Sequence, residues 1–369
     1  MKTKFGMTVI IVSSIFLMAA CEPTENPKAD GQLPAGEQVS LKVSFNAGVG
    51  TLADAVKEIT NSPEFSLLGS ITPAVNQDSP LKAAELNNDS MQIRLSDIAG
   101  EYEYSWKRVK KGGILRFFDR TGDNENLIVR LPVEKIRNYQ RLFIFAPKDT
   151  ALTNNFEAVV SDYFLSRHFQ KGLEYRISSA LSVDKSSIGN VKTSKTRNKV
   201  NGFNLLSSYQ LANGYTVTNQ ENSGDTAVSV YSITKADKVL FEERISTYKL
   251  VNQPRPRERV YSLTIGDVKI VRTAGPNSLD SAKVYLAGVL QTNARVEVIV
   301  YETDETNSGV AQQKRDVKIT FDDGTSTTIR ELKAGTIEEM AAIFKAVRQA
   351  GFATEIVDRI AANIYWQKK

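Results

Sequence analysis

The chain has 369 residues, 41% hydrophobic and 24% charged, with a formal net charge of +5. That length and apolar content exclude a disordered chain and leave ample material for a packed core. One cysteine, Cys21, and one histidine, His168, exclude a disulfide framework, a thiolate zinc site and any metal site built on clustered histidines.

Residues 1–20 open with Lys2 and Lys4, continue through the apolar run Val9–Met18, and end on Ala19 and Ala20, directly before Cys21. A positive start, a short apolar core and small residues at the end form a secretory signal. The run is shorter than the ~20 residues a spanning helix needs. Ala19-Ala20-Cys21 resembles the lipobox of bacterial lipoproteins, with Met18 where that motif prefers leucine. The resemblance implies cleavage between Ala20 and Cys21 and diacylglyceryl attachment to the Cys21 thiol. It further implies a membrane anchor in the cell envelope, and Glu22 is compatible with the outer membrane, on its periplasmic or surface face. A plain secretory signal or an uncleaved anchor is the alternative. Residues 21–39 then carry three prolines and two glycines with few apolar side chains, the composition of a tether.

Leu41, Val43 and Phe45 alternate with polar residues and predict a first strand. Thr51 to Ile59 predicts a short helix, with Thr51 and Asp54 as an acidic capping box and Pro63 as its stop. Residues 61–90 read as loop with one further turn. From residue 92 the period becomes two. Tyr102, Tyr104 and Trp106 fall on one strand face, and 114–118 and 127–133 read as a hairpin around a polar loop. Residues 142–146 form a short apolar run, and 159–169 is ambiguous between helix and strand. Strands follow at about 175–183, 203–211, 215–218, 227–234 and 239–250, with Asn213-Gly214 as a hairpin turn. Gln253 to Arg259, with two prolines and three arginines, is a linker or crossover. Strands at 260–265, 268–272, 283–290, 294–301, 317–321 and 325–330 complete the β region. Thr336 and Glu339 form a capping box, Gly351 is a helix stop, and a second amphipathic stretch follows, so the C-terminus predicts a helical hairpin.

The expected fold is α+β: mainly an antiparallel β meander, a curved sheet or half-barrel, with a short N-terminal helix and a C-terminal helical hairpin. The expected division is a signal at 1–20, a tether at 21–39, a β-rich domain at 40–252, and hairpins plus helices at 260–369 within the same or a second domain. In architecture, residues 92–250 resemble the half-barrel lipoprotein carriers and lipocalin-type folds. That resemblance implies a lipid or other apolar ligand held in the concavity.

Motifs for catalysis are sparse. His168 has no Gly-x-Ser-x-Gly elbow to serve. Ser79/Lys82 and Ser182/Lys185 match Ser-x-x-Lys without its companion motifs, and Tyr231/Lys235 matches Tyr-x-x-x-Lys in a strand pattern. Asp119, Asp123, Asn124 and Glu125 crowd one loop, and Glu302, Asp304 and Glu305 another; turn chemistry explains both better than calcium does. Residues 101–200 hold 19 basic against 11 acidic side chains, a local charge of +8. Within them Lys192, Lys195, Arg197 and Lys199 read as a basic hairpin or loop, a candidate contact to anionic lipid. Tyr102, Tyr104 and Trp106 either line an apolar groove or face the core. The reading is a non-enzymatic, lipid-anchored envelope protein with no metal, no cofactor and no nucleic-acid partner. It binds an apolar ligand or, alternatively, serves as an accessory part of an envelope assembly; a hydrolase ranks third.

Overall fold

A computed structural model describes residues 40–71, 91–105, 117–137, 152–168, 172–198, 202–224, 226–249, 257–274, 282–303, 312–328, 331 and 334–368. The protein is α+β and mainly β, and its strands follow one another as an open antiparallel meander. The chain divides into two compact units, one of residues 1–58 with 225–342 and one of residues 59–224 with 343–369.

In the first unit, α1 (Leu41–Thr60) replaces the strand expected at 41–45. Leu41 and Phe45 satisfy a period of two or of four, so five residues could not separate the readings. The stripe continues through Val49, Leu52, Val56 and Ile59, all buried, while Val43 is 58% exposed. A helix satisfies that pattern and a strand does not. Ser40 accepts a hydrogen bond from the Val43 amide, so the helix starts there and not at Thr51. Phe45 packs 5.9 Å from the Phe321 ring, and Lys42 pairs with Asp323 at 2.8 Å.

The sheet of this unit runs β10 (Thr226–Lys235), β11 (Lys238–Lys249), β12 (Arg257–Ile265), β13 (Val268–Ala274), β14 (Ala282–Leu286) and β15 (Val289–Leu290), each antiparallel to the next. The β10–β11 turn holds Ala236 and Asp237 at φ 47° and 64°, a two-residue hairpin turn. Residues 283–290, read as one strand, form a hairpin around Ala287-Gly288. Lys249 pairs with Arg257, so the Pro/Arg segment joins neighbouring strands of one unit. Three further strands, β16 (Arg295–Thr303), β17 (Gln312–Thr320) and β18 (Ser326–Thr328), form a second sheet. Their last turn is Asp322-Asp323-Gly324, closed by a hydrogen bond from the Gly324 amide to the Phe321 carbonyl at 3.0 Å.

In the second unit, Ser62 caps α2 (Pro63–Ser70), accepting from the Phe65 amide at 3.1 Å, with Pro63 at the first helical position. The expected loop therefore begins as a helix. Strands β1 (Met91–Arg94) and β2 (Gly100–Tyr104) flank the single turn α3 (Leu95–Ile98). Strand β3 (Phe118–Gly122) pairs antiparallel with β2, and β4 (Leu127–Leu131) pairs with β2 in parallel. The hairpin expected between β3 and β4 is thus overturned, because β2 lies between them. Arg130 on β4 secures this arrangement, bonding Glu101 (2.8 Å) and Glu103 (3.2 Å) of β2 and Glu157 (2.6 Å) of the following strand. After α4 (Val133–Arg137) the meander continues through β5 (Phe156–His168), β6 (Gly172–Val183), β7 (Ser186–Asn198), β8 (Gly202–Gln210) and β9 (Tyr215–Ser223). The ambiguous segment at 159–169 is strand, with a bulge between Val160 and Asp162. Phe156, Ala158 and Val160 are buried before it and Tyr163 after it, so the apolar phase shifts by one residue and blurs the period. At the Asn213-Gly214 turn, Leu211 and Tyr215 close a three-residue loop in which Gly214, at φ 86°, takes the left-handed position.

The C-terminal helical hairpin is likewise overturned. One helix, α5 (Ala334–Lys368), runs through Gly351. A glycine inside a helix costs roughly 1 kcal/mol relative to alanine, too little to end one whose flanks are packed. Met340, Ile343 and Phe344 before it and Ile356, Val357, Ile360 and Ile364 after it are all buried. From Ile343 onward α5 belongs to the second unit, where the Tyr175 hydroxyl on β6 donates to the Asp358 carboxylate at 3.1 Å.

Candidate functional site

The long strands of the second unit have two unlike faces. One carries Ile177, Leu181, Val191, Tyr209 and Val217, all buried. The other carries polar residues, as alternation requires for a sheet packed on one side. Register places Gln92 of β1 beside Ser166 of β5, Ser166 beside Glu174 of β6, and Glu174 beside Thr196 of β7. The next row of this polar face holds His168 opposite Gly172, with Asn198 on β7.

Those residues line a cavity of about 370 Å³, inside the range of about 300–1,000 Å³ common for small-molecule sites. Met91, Arg167 and Leu173 also border it; their side chains alternate to the opposite face, so their backbone forms its floor. Gly172 shapes one wall. Its φ is 98°, and a Cβ there would stand 1.9 Å from the Arg197 carbonyl oxygen, so no other residue fits without moving the backbone. Gln92, turned so that its amide oxygen faces Arg94, accepts from both Arg94 Nε and Nη2 at 3.1 Å. This holds the Gln92 side chain in place at the rim. The set offers hydroxyls, amides, one carboxylate and one imidazole, which together donate and accept hydrogen bonds.

The residues singled out from sequence are scattered. Ala20, Cys21, Trp106 and Lys199 lie outside the described residues, as do Ser79, Lys82, Asp304 and Glu305. Tyr102 and Tyr104 are 5% and 7% exposed. The Tyr104 ring meets Phe117 at 6.4 Å and Phe118 at 5.9 Å, so both tyrosines face the core and line no open groove. Burial raises the Tyr102 hydroxyl above its usual range. The basic hairpin at 192–199 is corrected: Lys192, Lys195 and Arg197 lie within strand β7. Alternation sends Lys192 to one face and Lys195 and Arg197 to the other, so the three do not form one patch. Lys195 Nζ sits 5.5 Å from the Phe203 ring.

The catalytic matches do not assemble. Ser182 lies in β6 and Lys185 in the turn after it, so a helical one-turn spacing does not arise. Tyr231 and Lys235 share strand β10, and Lys235 pairs with Glu58 at 3.1 Å. The acidic loop is consumed by structure: Asp123 pairs with Arg120, and Asn124 accepts from the Asn126 amide and donates to Glu101 at 3.2 Å. Hydrogen bonds from Arg130 and Asn124 hold Glu101 below the usual carboxylate range. Among the described residues no three acidic, histidine or cysteine side chains converge on a metal position.

Of the cavity residues, sequence reading singled out His168 alone. Gln92, Ser166, Glu174, Thr196 and Asn198 are ordinary outward-facing strand residues in the linear chain. Only the register of four strands brings them together, and no local pattern encodes that. Comparison with protein families, with curated proteins and with solved structures finds no match for this chain.

Proposed function

We propose that this protein is a lipid-anchored component of the bacterial cell envelope, held through Cys21, that binds a small ligand and does not catalyse a reaction. The cavity on the polar face of the second unit is the observation that carries the binding part. The Ala19-Ala20-Cys21 pattern supports the anchor, and the tether at 22–39 gives the folded units reach from the membrane. A lining of hydroxyl, amide, imidazole and carboxylate groups favours a polar ligand over the apolar one that the lipocalin-like architecture suggests, since an apolar ligand would cover those groups without pairing them.

Two measurements test this reading. Intact mass of the membrane-extracted chain should show loss of residues 1–20 and a diacylglyceryl adduct, and Cys21→Ser should lose both the adduct and membrane attachment. A Cys21→Ser chain still carrying that mass refutes the anchor. Native mass spectrometry of the extracted protein tests the binding part: a bound small molecule supports it.

The accessory-protein reading keeps one observation in its favour. Val289 and Leu290, on the two-residue strand β15, are 39% and 44% exposed, a small apolar surface suited to a partner. Crosslinking in whole cells that traps a partner at Val289 and Leu290 would favour that reading.

A further inference from the structure

We infer that the cavity bordered by β1, β5, β6 and β7 is a carbohydrate site, taking a neutral polyhydroxylated ligand such as a monosaccharide. The inference deepens the binding function proposed above and rests on it. Its basis is the chemistry of the six side chains that share this face: Gln92, Ser166, His168, Glu174, Thr196 and Asn198.

Each class of ligand meets this lining differently. An anion would face the Glu174 carboxylate, while the arginines next along this face are held by other groups, Arg176 by Asp162 and Arg94 by Gln92. A metal cation would find one carboxylate and no converging acidic partners among the described residues. An apolar molecule would find Met91, which is 4% exposed and turned into the core, and Leu173, on the opposite face. A sugar presents hydroxyls that both donate and accept, which matches two amides, two hydroxyls, an imidazole and a carboxylate. Glu174 can accept from two adjacent hydroxyls, and Thr196, its direct neighbour across the strands, accepts from the Asn204 amide at 3.3 Å and keeps its own O–H to donate to the ligand. Gln92 and Glu174 are exposed, so water competes for each bond and weak, millimolar affinity is expected.

The test uses the full chain in a detergent without a sugar headgroup. Saturation-transfer NMR would be recorded with D-glucose, D-galactose and N-acetyl-D-glucosamine, and with inorganic phosphate and dodecanoate as the anionic and apolar probes read by calorimetry. At least one sugar should bind saturably. Thr196→Val and Glu174→Ala, both at solvent-facing strand positions, should each weaken it about tenfold, the equivalent of one charge-assisted or well-placed hydrogen bond. Lys192→Ala, on the same face but outside the cavity, should leave it unchanged, and unaltered circular dichroism of all three variants confirms the fold. Sugar binding that ignores the Thr196 and Glu174 variants refutes this site. Binding of phosphate or dodecanoate that those variants abolish, without sugar binding, refutes the ligand class but leaves the binding function standing. Binding by none of the probes refutes the carbohydrate site.

Discussion

Glu243 offers the sharpest test of the structure. It lies on β11 between Tyr231 of β10 and Leu263 of β12, is 5% exposed, and its Oε1 has no hydrogen-bond partner among the described residues. Burial without compensation disfavours the carboxylate and pushes its pKa up from 4.5 to about 7. The folded protein therefore holds this proton more tightly than the unfolded chain does. Its contribution is full below pH 4.5, falls as pH rises toward 7, and is gone above it. A shift of that size corresponds to about 3 kcal/mol between the acid and alkaline limits. Glu243→Gln keeps the shape and removes the charge. The variant should match the parent near pH 4.5 and exceed it by up to about 3 kcal/mol near pH 8. Urea unfolding followed by far-UV circular dichroism, repeated across this range, measures the difference, and other titrating groups cancel between the two proteins. A difference that stays constant with pH refutes the reasoning.

Further expectations concern the architecture. Gly351→Ala should stabilise the protein by about 0.5–1 kcal/mol, because Gly351 is inside α5 with open space around it; a drop in thermal midpoint would restore the helical hairpin. Tyr175→Phe removes the donor to Asp358 and should cost about 1–2 kcal/mol in urea titrations. Tyr209→Phe leaves the buried Ile188 carbonyl without its 2.6 Å partner and should cost about 1–3 kcal/mol by the same measurement. Phe45→Ala should cost about 3–5 kcal/mol by the same measurement, since the ring, carried on α1, is fully buried and packs against Phe321.

What the sequence by itself determined follows from short-range physics. Asp322-Asp323-Gly324 and Lys235 to Lys238 mark turns because their residues tolerate the backbone geometry of a tight reversal. Strands β6 and β8 to β13 declare themselves because alternation must match a half-buried sheet, whereas β7, rich in Lys, Thr and Ser, reads as a loop. The proposed signal and tether rest on composition alone, which needs no tertiary partner. The failures came where two periods fit the same few residues or where the long-range partner decided. Leu41 and Phe45 suit strand and helix equally, and the buried stripe reaching Ile59 chose the helix. Gly351 stops an isolated helix, but buried residues on both sides carry α5 across it. The bulge after Val160 shifts a strand's phase, so Tyr163 returns to the core one residue out of step. Arg130 binds three glutamates from two strands, and with it β2 sits between β3 and β4 where a simple hairpin was expected. The cavity is the extreme case. Gln92, Ser166, Glu174 and Thr196 span more than a hundred residues of chain and meet only because strand register aligns them. Register is a property of pairs of strands, not of any one of them, and so it exists only once the chain has folded.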